Sequence, residues 1–152
     1  MEPAAEPFCL AFERLEEASE FETRGRTIAE SDILTFGGLT GDTHPQHLDA
    51  EWAAQSEYGT RIAHGLLMLT TAYGLLPRHG SRVRALRRID EVTFKAPARI
   101  GETVRLRGTL YPERMLAEGV GAVRCACAVL GQGDVVLVRA RLEFAWDGTE
   151  AL

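Results

Sequence analysis

The chain has 152 residues, 45% hydrophobic and 26% charged, with 17 Lys and Arg against 22 Asp and Glu for a net charge of −5. That composition belongs to a globular chain and excludes a disordered or collagen-like one. An acidic balance of this size also argues against general nucleic-acid binding, which leaves a basic footprint. The length predicts one domain over residues 1–152.

In chain order, the N-terminal residues carry Glu2 and Glu6 where a signal peptide would carry Lys or Arg, which predicts a cytoplasmic protein. Phe8 to Phe12 and Phe21 to Ile28 read as extended, the latter on its Thr23, Thr27 and Ile28. A short helix is predicted from about Glu30 to Leu39, with Glu30 and Asp32 favourably placed for its N-terminal dipole but only Ala29 or Ser31 as N-cap. Asp49 is positioned to cap a second helix from Ala50 to Ser56.

The stretch from about Ala63 to Leu76 is apolar on nearly every face and stops before Pro77, so it predicts a buried helix. Interrupted by His64, two threonines and two glycines, it falls short of the roughly 20 residues that cross a bilayer, so no membrane association is expected.

Four long β-rich runs follow: Arg82 to Ala96, Glu102 to Tyr111, Val120 to Leu130 and Val135 to Trp146. In the last, Val136, Val138, Ala140, Leu142 and Phe144 share one parity and Arg139, Arg141 and Glu143 the other, which predicts a sheet with one wet face. Cys125 and Cys127 fall on one face of a strand; with Cys9 they make an odd number at no metal-ligand spacing. This order predicts an α+β domain in which a four-strand antiparallel meander wraps a central helix. Its uncovered sheet edges and helix flank predict dimerisation.

Two pieces carry chemistry. The first is Gly41-Asp42-Thr43-His44-Pro45-Gln46-His47, and the second is His64-Gly65 at the head of the apolar helix. Together they resemble the G-D-x-N-P-x-H signature and downstream H-G motif of the MaoC-like, (R)-specific enoyl-CoA hydratases. The resemblance implies a single hot-dog domain, a curved antiparallel sheet around a long central helix. It implies hydration of trans-2-enoyl thioesters to 3-hydroxyacyl thioesters, or the reverse dehydration. Asp42 and His47 would then be the catalytic pair, and Gly65 the glycine whose N–H binds the thioester oxygen. Substrates carried by coenzyme A or an acyl-carrier protein, no cofactor, and a homodimer or an oligomer of dimers are implied as well.

Elementary chemistry agrees with that assignment. A carboxylate and an imidazole holding one water can move both protons of a hydration on one face, each positioned group contributing roughly 10²–10⁴-fold. Donors aimed at the developing enolate often contribute more to the rate than any other single effect, and the unpaired first-turn N–H groups of a helix offer them. His64 is read as bonding a carbonyl beside the substrate. His44 stands where the family has asparagine, a bulkier and titratable replacement next to the substrate. The histidines and Asp42 match no standard zinc spacing, so no metal is assigned.

From Arg78 to Arg99 six arginines and Lys95 face only Asp90 and Glu91, a local charge of +5. Arg87 and Arg88 are therefore candidate ligands for the anionic carrier of the substrate, or else parts of a solvated strand face. Two rival functions are weighed. A hot-dog acyl-CoA thioesterase would carry an acid on or near the central helix, where residues 62–76 have none; a non-catalytic thioester-binding or dimer-partner subunit is favoured only by His44.

Overall fold

The computed structural model describes residues 7–149; the glutamates read against a signal peptide, Glu2 and Glu6, lie outside them. The apolar run becomes helix α4, Gly65–Gly74. Leu67, Met68, Leu69, Thr71 and Ala72 are buried in it, while Leu66 keeps 57% of its surface exposed. Helix α4 packs on strands β4 (Thr103–Ala117), β5 (Val120–Leu130) and β6 (Val136–Asp147). The remaining strands are β1 (Ser19–Glu22), β2 (Arg26–Thr27) and β3 (Val83–Phe94). All pairings are antiparallel, in the order β1-β4-β5-β6-β3, with β2 also on β4. A sheet curled over one apolar helix is the hot-dog arrangement that the sequence implies. Among the described residues no helix is long and apolar enough to cross a membrane.

The sheet is not a four-strand meander. Only β4, β5 and β6 follow one another, and β3 pairs with β6 at one edge. The connection after β3 shows why. Pro97 cannot donate to a ladder, and the segment instead crosses beneath the start of α4. There Ala63 donates to the Ala98 carbonyl at 2.8 Å, Ile62 pairs with Arg99, and Ile28 and Gly101 bond across it. The chain therefore reaches β4 on the far side of the sheet, and this crossing forms one wall of the site described below.

Residues 8–12 are not extended. Two single-turn 3₁₀ segments, Pro7–Cys9 and Phe12–Arg14, close one end of the molecule. Phe8, fully buried, meets Phe21 edge to face at 4.9 Å and lies 5.6 Å from Trp146, whose Nε1 donates to the Leu10 carbonyl. Tertiary partners satisfy this backbone in place of a ladder. Strand β4 also continues past Tyr111 through Pro112, which is tolerated because the register shifts between Pro112 and Arg114.

On the outer parity of β6, Arg139 and Arg141 reach water as the alternation predicts, whereas Leu137, Glu143 and Ala145 are buried, Glu143 at 5% exposed. Three arginines cover that carboxylate: Arg87 at 2.5 Å, Arg88 at 3.3 Å and Arg114 at 3.4 Å. Cys125 and Cys127 are buried side by side on β5, as expected from their spacing.

Candidate active site

Helix α1, Glu30–Thr40, opens without a capping side chain; the Asp32 carboxylate instead reaches back to accept from the Ala29 N–H at 2.8 Å. It ends at Gly41, whose left-handed φ of 79° reverses the chain as glycine permits. Asp42 follows, exposed on the loop. A one-turn helix that the sequence pattern does not announce, α2 (Pro45–Leu48), then carries His47. His44 is its N-cap, accepting from the Gln46 N–H on Nδ1 at 3.1 Å, with Pro45 in the first helical position where no N–H is required. Asp49 caps the next helix, α3 (Ala50–Ala54), by accepting from Glu51 and Trp52.

Two bonds hold α2 against the strand-like stretch before α4. Ile62 donates to the Gln46 carbonyl at 3.1 Å, and His47 Nδ1 donates to the Ile62 carbonyl at 2.8 Å. A carbonyl can only accept, so Nδ1 carries the hydrogen and Nε2 keeps its lone pair. The Gln46 side-chain amide lies 3.1 Å from that lone pair and donates to it. His47 is 4% exposed, and its burial is the main cause that pushes its pKa below the ordinary histidine value of 6.5. The imidazole is thus a neutral base with a fixed tautomer.

His64 completes the arrangement. It is buried, donates from Nε2 to the main-chain carbonyl of Asp42 at 2.9 Å, and stacks on His47 with centroids 3.8 Å apart and planes 26° apart. One ring therefore anchors the Asp42 backbone and supports the face of His47. This matches the carbonyl-bonding role expected for it.

These residues lie on a cavity of about 560 Å³, lined by Asp42, His47, His64 and Gly65 together with apolar groups such as Phe36, Met68 and Phe94. Asp42, His47 and His64 each place a ligating atom within 4.8 Å of the others. The donor types would suit a metal, but the stack does not. A metal lies near the plane of each imidazole at about 2.0–2.1 Å, whereas planes stacked at 3.8 Å and 26° meet far outside that distance.

At the opposite wall, the amides of Gly65, Leu66 and Leu67 precede the first intrahelical bond, from the Met68 N–H to the His64 carbonyl, and so have no carbonyl partner within α4. A Cβ on Gly65 would lie 2.7 Å from two ring carbons of Phe94. Glycine is required there by close approach, not by an unusual φ.

The structure thus unites Asp42, His47, His64 and Gly65. It does not bring in the other three candidates. His44 is spent as a helix cap, exposed and outside the cavity lining, with its ring against Trp52 at 5.4 Å. Arg87 and Arg88 are both held by Glu143 of β6, neighbours on one side of β3 because the register shifts between Leu86 and Arg88 and breaks the strand's alternation there. Gln46, Tyr58, Phe94 and Lys95 line the cavity without having been singled out. For Gln46 the adjacency to His47 was a usable signal, whereas the others arrive from distant segments.

An antiparallel sheet wrapped on a helix thus sets an imidazole, a carboxylate and the N-terminus of that helix on one cavity. Comparison with known proteins places the chain further. Residues 13–123 match the family described as the MaoC like domain. The chain is 35% identical over 132 residues to a 3-hydroxybutyryl-CoA dehydratase of Methylorubrum extorquens, covering 85% of this chain and 79% of that protein. It is 36% identical over 110 residues to an (R)-specific enoyl-CoA hydratase of Rhodospirillum rubrum, covering 70% and 74%. Among solved structures, a monoamine oxidase regulatory protein from Archaeoglobus fulgidus superposes with a TM-score of 0.83 at 29% identity, covering 92% of this chain and 95% of that one. The chain belongs to the MaoC-like domain family.

Proposed function

We propose that this protein is a hydratase and dehydratase that adds water to trans-2-enoyl thioesters, giving (R)-3-hydroxyacyl thioesters, and catalyses the reverse elimination. The observation that carries the reading is the state of His47: a neutral imidazole whose Nε2 lone pair stands on the same cavity as the Asp42 carboxylate and the Gly65 amide. In the forward direction a water oxygen bonds to the β-carbon. The Asp42 and His47 pair takes its proton, and the electron pair of the double bond moves through the α-carbon onto the thioester oxygen. The Gly65 N–H at the positive end of α4 meets that developing enolate. A proton returned to the α-carbon from the same pair regenerates the carbonyl and makes the addition syn.

Neither rival reading gains support. Helix α4 has no acid, and among the described residues Asp42 is the one carboxylate on the cavity, which does not suit a thioesterase with an acid on the central helix. His44, the feature that favoured a non-catalytic subunit, lies outside the cavity.

The assembly in this reading is a homodimer. Strand β3 is an edge strand of 12 residues; Ile89 at 47%, Phe94 at 50% and Leu66 on α4 at 57% are exposed, and a second copy would cover such an edge.

Purified protein incubated with trans-2-butenoyl-CoA tests the function. Loss of the conjugated absorbance without free-thiol release, abolished in Asp42→Asn and in His47→Ala, is the expected result. Thiol release without hydration would sink the proposal.

A further inference from the structure

Lys95 is the sole lysine among the 17 Lys and Arg residues of the chain. It follows β3 directly, and its backbone is pinned to β6: the N–H groups of Lys95 and Ala96 both donate to the Leu137 carbonyl, at 2.8 and 3.3 Å. Its side chain is exposed and lines the cavity that holds Asp42, His47 and Gly65.

The arginines that give this region its positive charge are engaged elsewhere. Arg84 pairs with Asp147 at 2.7 Å, Arg87 and Arg88 with Glu143, and Arg99 donates to the Tyr58 carbonyl at 3.4 Å. Among the described residues Lys95 enters no such pair. The cavity lining therefore includes a lysine without an ion-pair partner, on a segment distinct from the loop that bears Asp42.

An enoyl or 3-hydroxyacyl group has no charge for that ammonium to meet. The anionic part of a thioester substrate is the phosphate on its pantetheine arm, or those of the nucleotide beyond it. We propose that Lys95 binds a phosphate of the carrier arm and so selects phosphorylated thioesters; the proposal rests on the hydratase reading above. Lysine is suited to this contact: a compact point charge on a flexible four-carbon stem, with three rotatable donors, can follow a phosphate. The surrounding arginines are already fixed against carboxylates or main-chain carbonyls.

The phosphate is common to coenzyme A and to the phosphopantetheine of a carrier protein, and matched substrates separate the sources. The trans-2-butenoyl thioesters of pantetheine, 4′-phosphopantetheine and coenzyme A are compared in wild type, Lys95→Ala and Lys95→Arg. Lys95→Ala raises KM roughly 10- to 100-fold on phosphorylated substrates, the range for a charge-assisted contact, and leaves kcat and the KM for pantetheine near wild type. Lys95→Arg restores most of the loss. A rise shared by phosphopantetheine and coenzyme A assigns the contact to the pantetheine phosphate; a rise with coenzyme A alone assigns it to the nucleotide. An equal rise on all three substrates, or none on any, overturns the proposal.

A readout independent of turnover is also available. Reductive methylation with formaldehyde labels only Lys95 and the terminal amine, and saturating coenzyme A protects Lys95 whereas pantetheine does not. Absence of that protection overturns the proposal even if the enzyme is active. Wild type that hydrates none of the three substrates refutes the hydratase reading, and protection by coenzyme A would then still identify the phosphate contact.

Discussion

Gly65→Ala separates catalysis from folding. The added methyl would lie 2.7 Å from Cδ1 and Cε1 of Phe94 and 3.2 Å from Cγ. Carbon atoms rest at about 3.5–4.0 Å, so the ring must retreat by roughly 1 Å. Phe94 is 50% exposed and has room to move. Overpacking then costs toward the lower end of about 1–3 kcal/mol, partly offset by the roughly 0.5–1 kcal/mol that alanine gains over glycine in a helix. A net cost of at most about 1 kcal/mol lowers Tm by no more than about 2–4 °C in a domain of this size.

Activity should respond far more strongly. The methyl and the displaced ring both stand where the thioester must approach the first-turn amide of α4, and loss of one such donor lowers kcat by roughly 10²–10³. Hydration of trans-2-butenoyl-CoA, followed by its conjugated absorbance beside thermal unfolding, measures both quantities. A variant that stays within about fivefold of wild type in kcat/KM, a change of about 1 kcal/mol in barrier, refutes the placement of the thioester oxygen at Gly65.

Three further outcomes follow from the geometry. The burial that lowers the His47 pKa keeps the imidazole neutral in the folded protein; the unfolded chain therefore binds more protons just below pH 6.5, so this stability contribution is present above that pH and declines as pH falls toward the folded pKa. The acid limb of kcat/KM should accordingly have its midpoint below 6.5, and a midpoint above it would show that His47 is not the titrating base. His44→Ala removes the cap on the Gln46 N–H and costs about 0.5–2 kcal/mol by denaturant unfolding, whereas His44→Asn, a good N-cap, retains both stability and hydration; a large loss of activity in His44→Asn would give His44 a catalytic role. Glu143→Ala leaves Arg87, Arg88 and Arg114 without their shared partner, and because these arginines are 39%, 57% and 53% exposed the loss is screened to about 1–3 kcal/mol rather than the 3–5 of a fully buried pair; the same KM for enoyl-CoA in this variant would place the cluster in folding alone, and a raised KM would return Arg87 and Arg88 to the binding site.

The elements that local pattern governs were legible. The largely apolar character of 63–76 marked α4 as a buried helix, of which the flank of Leu66 and Thr70 stays exposed, and the parity of β6 placed Arg139 and Arg141 on its wet side. The motif resemblance grouped Asp42, His47 and Gly65 because they lie close in sequence or at a helix start, and they line one cavity.

What local pattern could not decide was which distant segments meet. The pairing of β3 with β6, and the crossing beneath α4, depend on long-range closure of the sheet; this is what carries Phe94 and Lys95 to the cavity and Arg87 and Arg88 to Glu143. A cluster of positive charge in sequence did not specify a ligand site, since Glu143 on the neighbouring strand takes Arg87 and Arg88 as its partners. His44 and His64 could not be told apart by residue type: one is an exposed helix cap, and the other is buried against both members of the proposed pair. Side-chain chemistry was set by the sequence alone, but its direction and its partners were decided by packing.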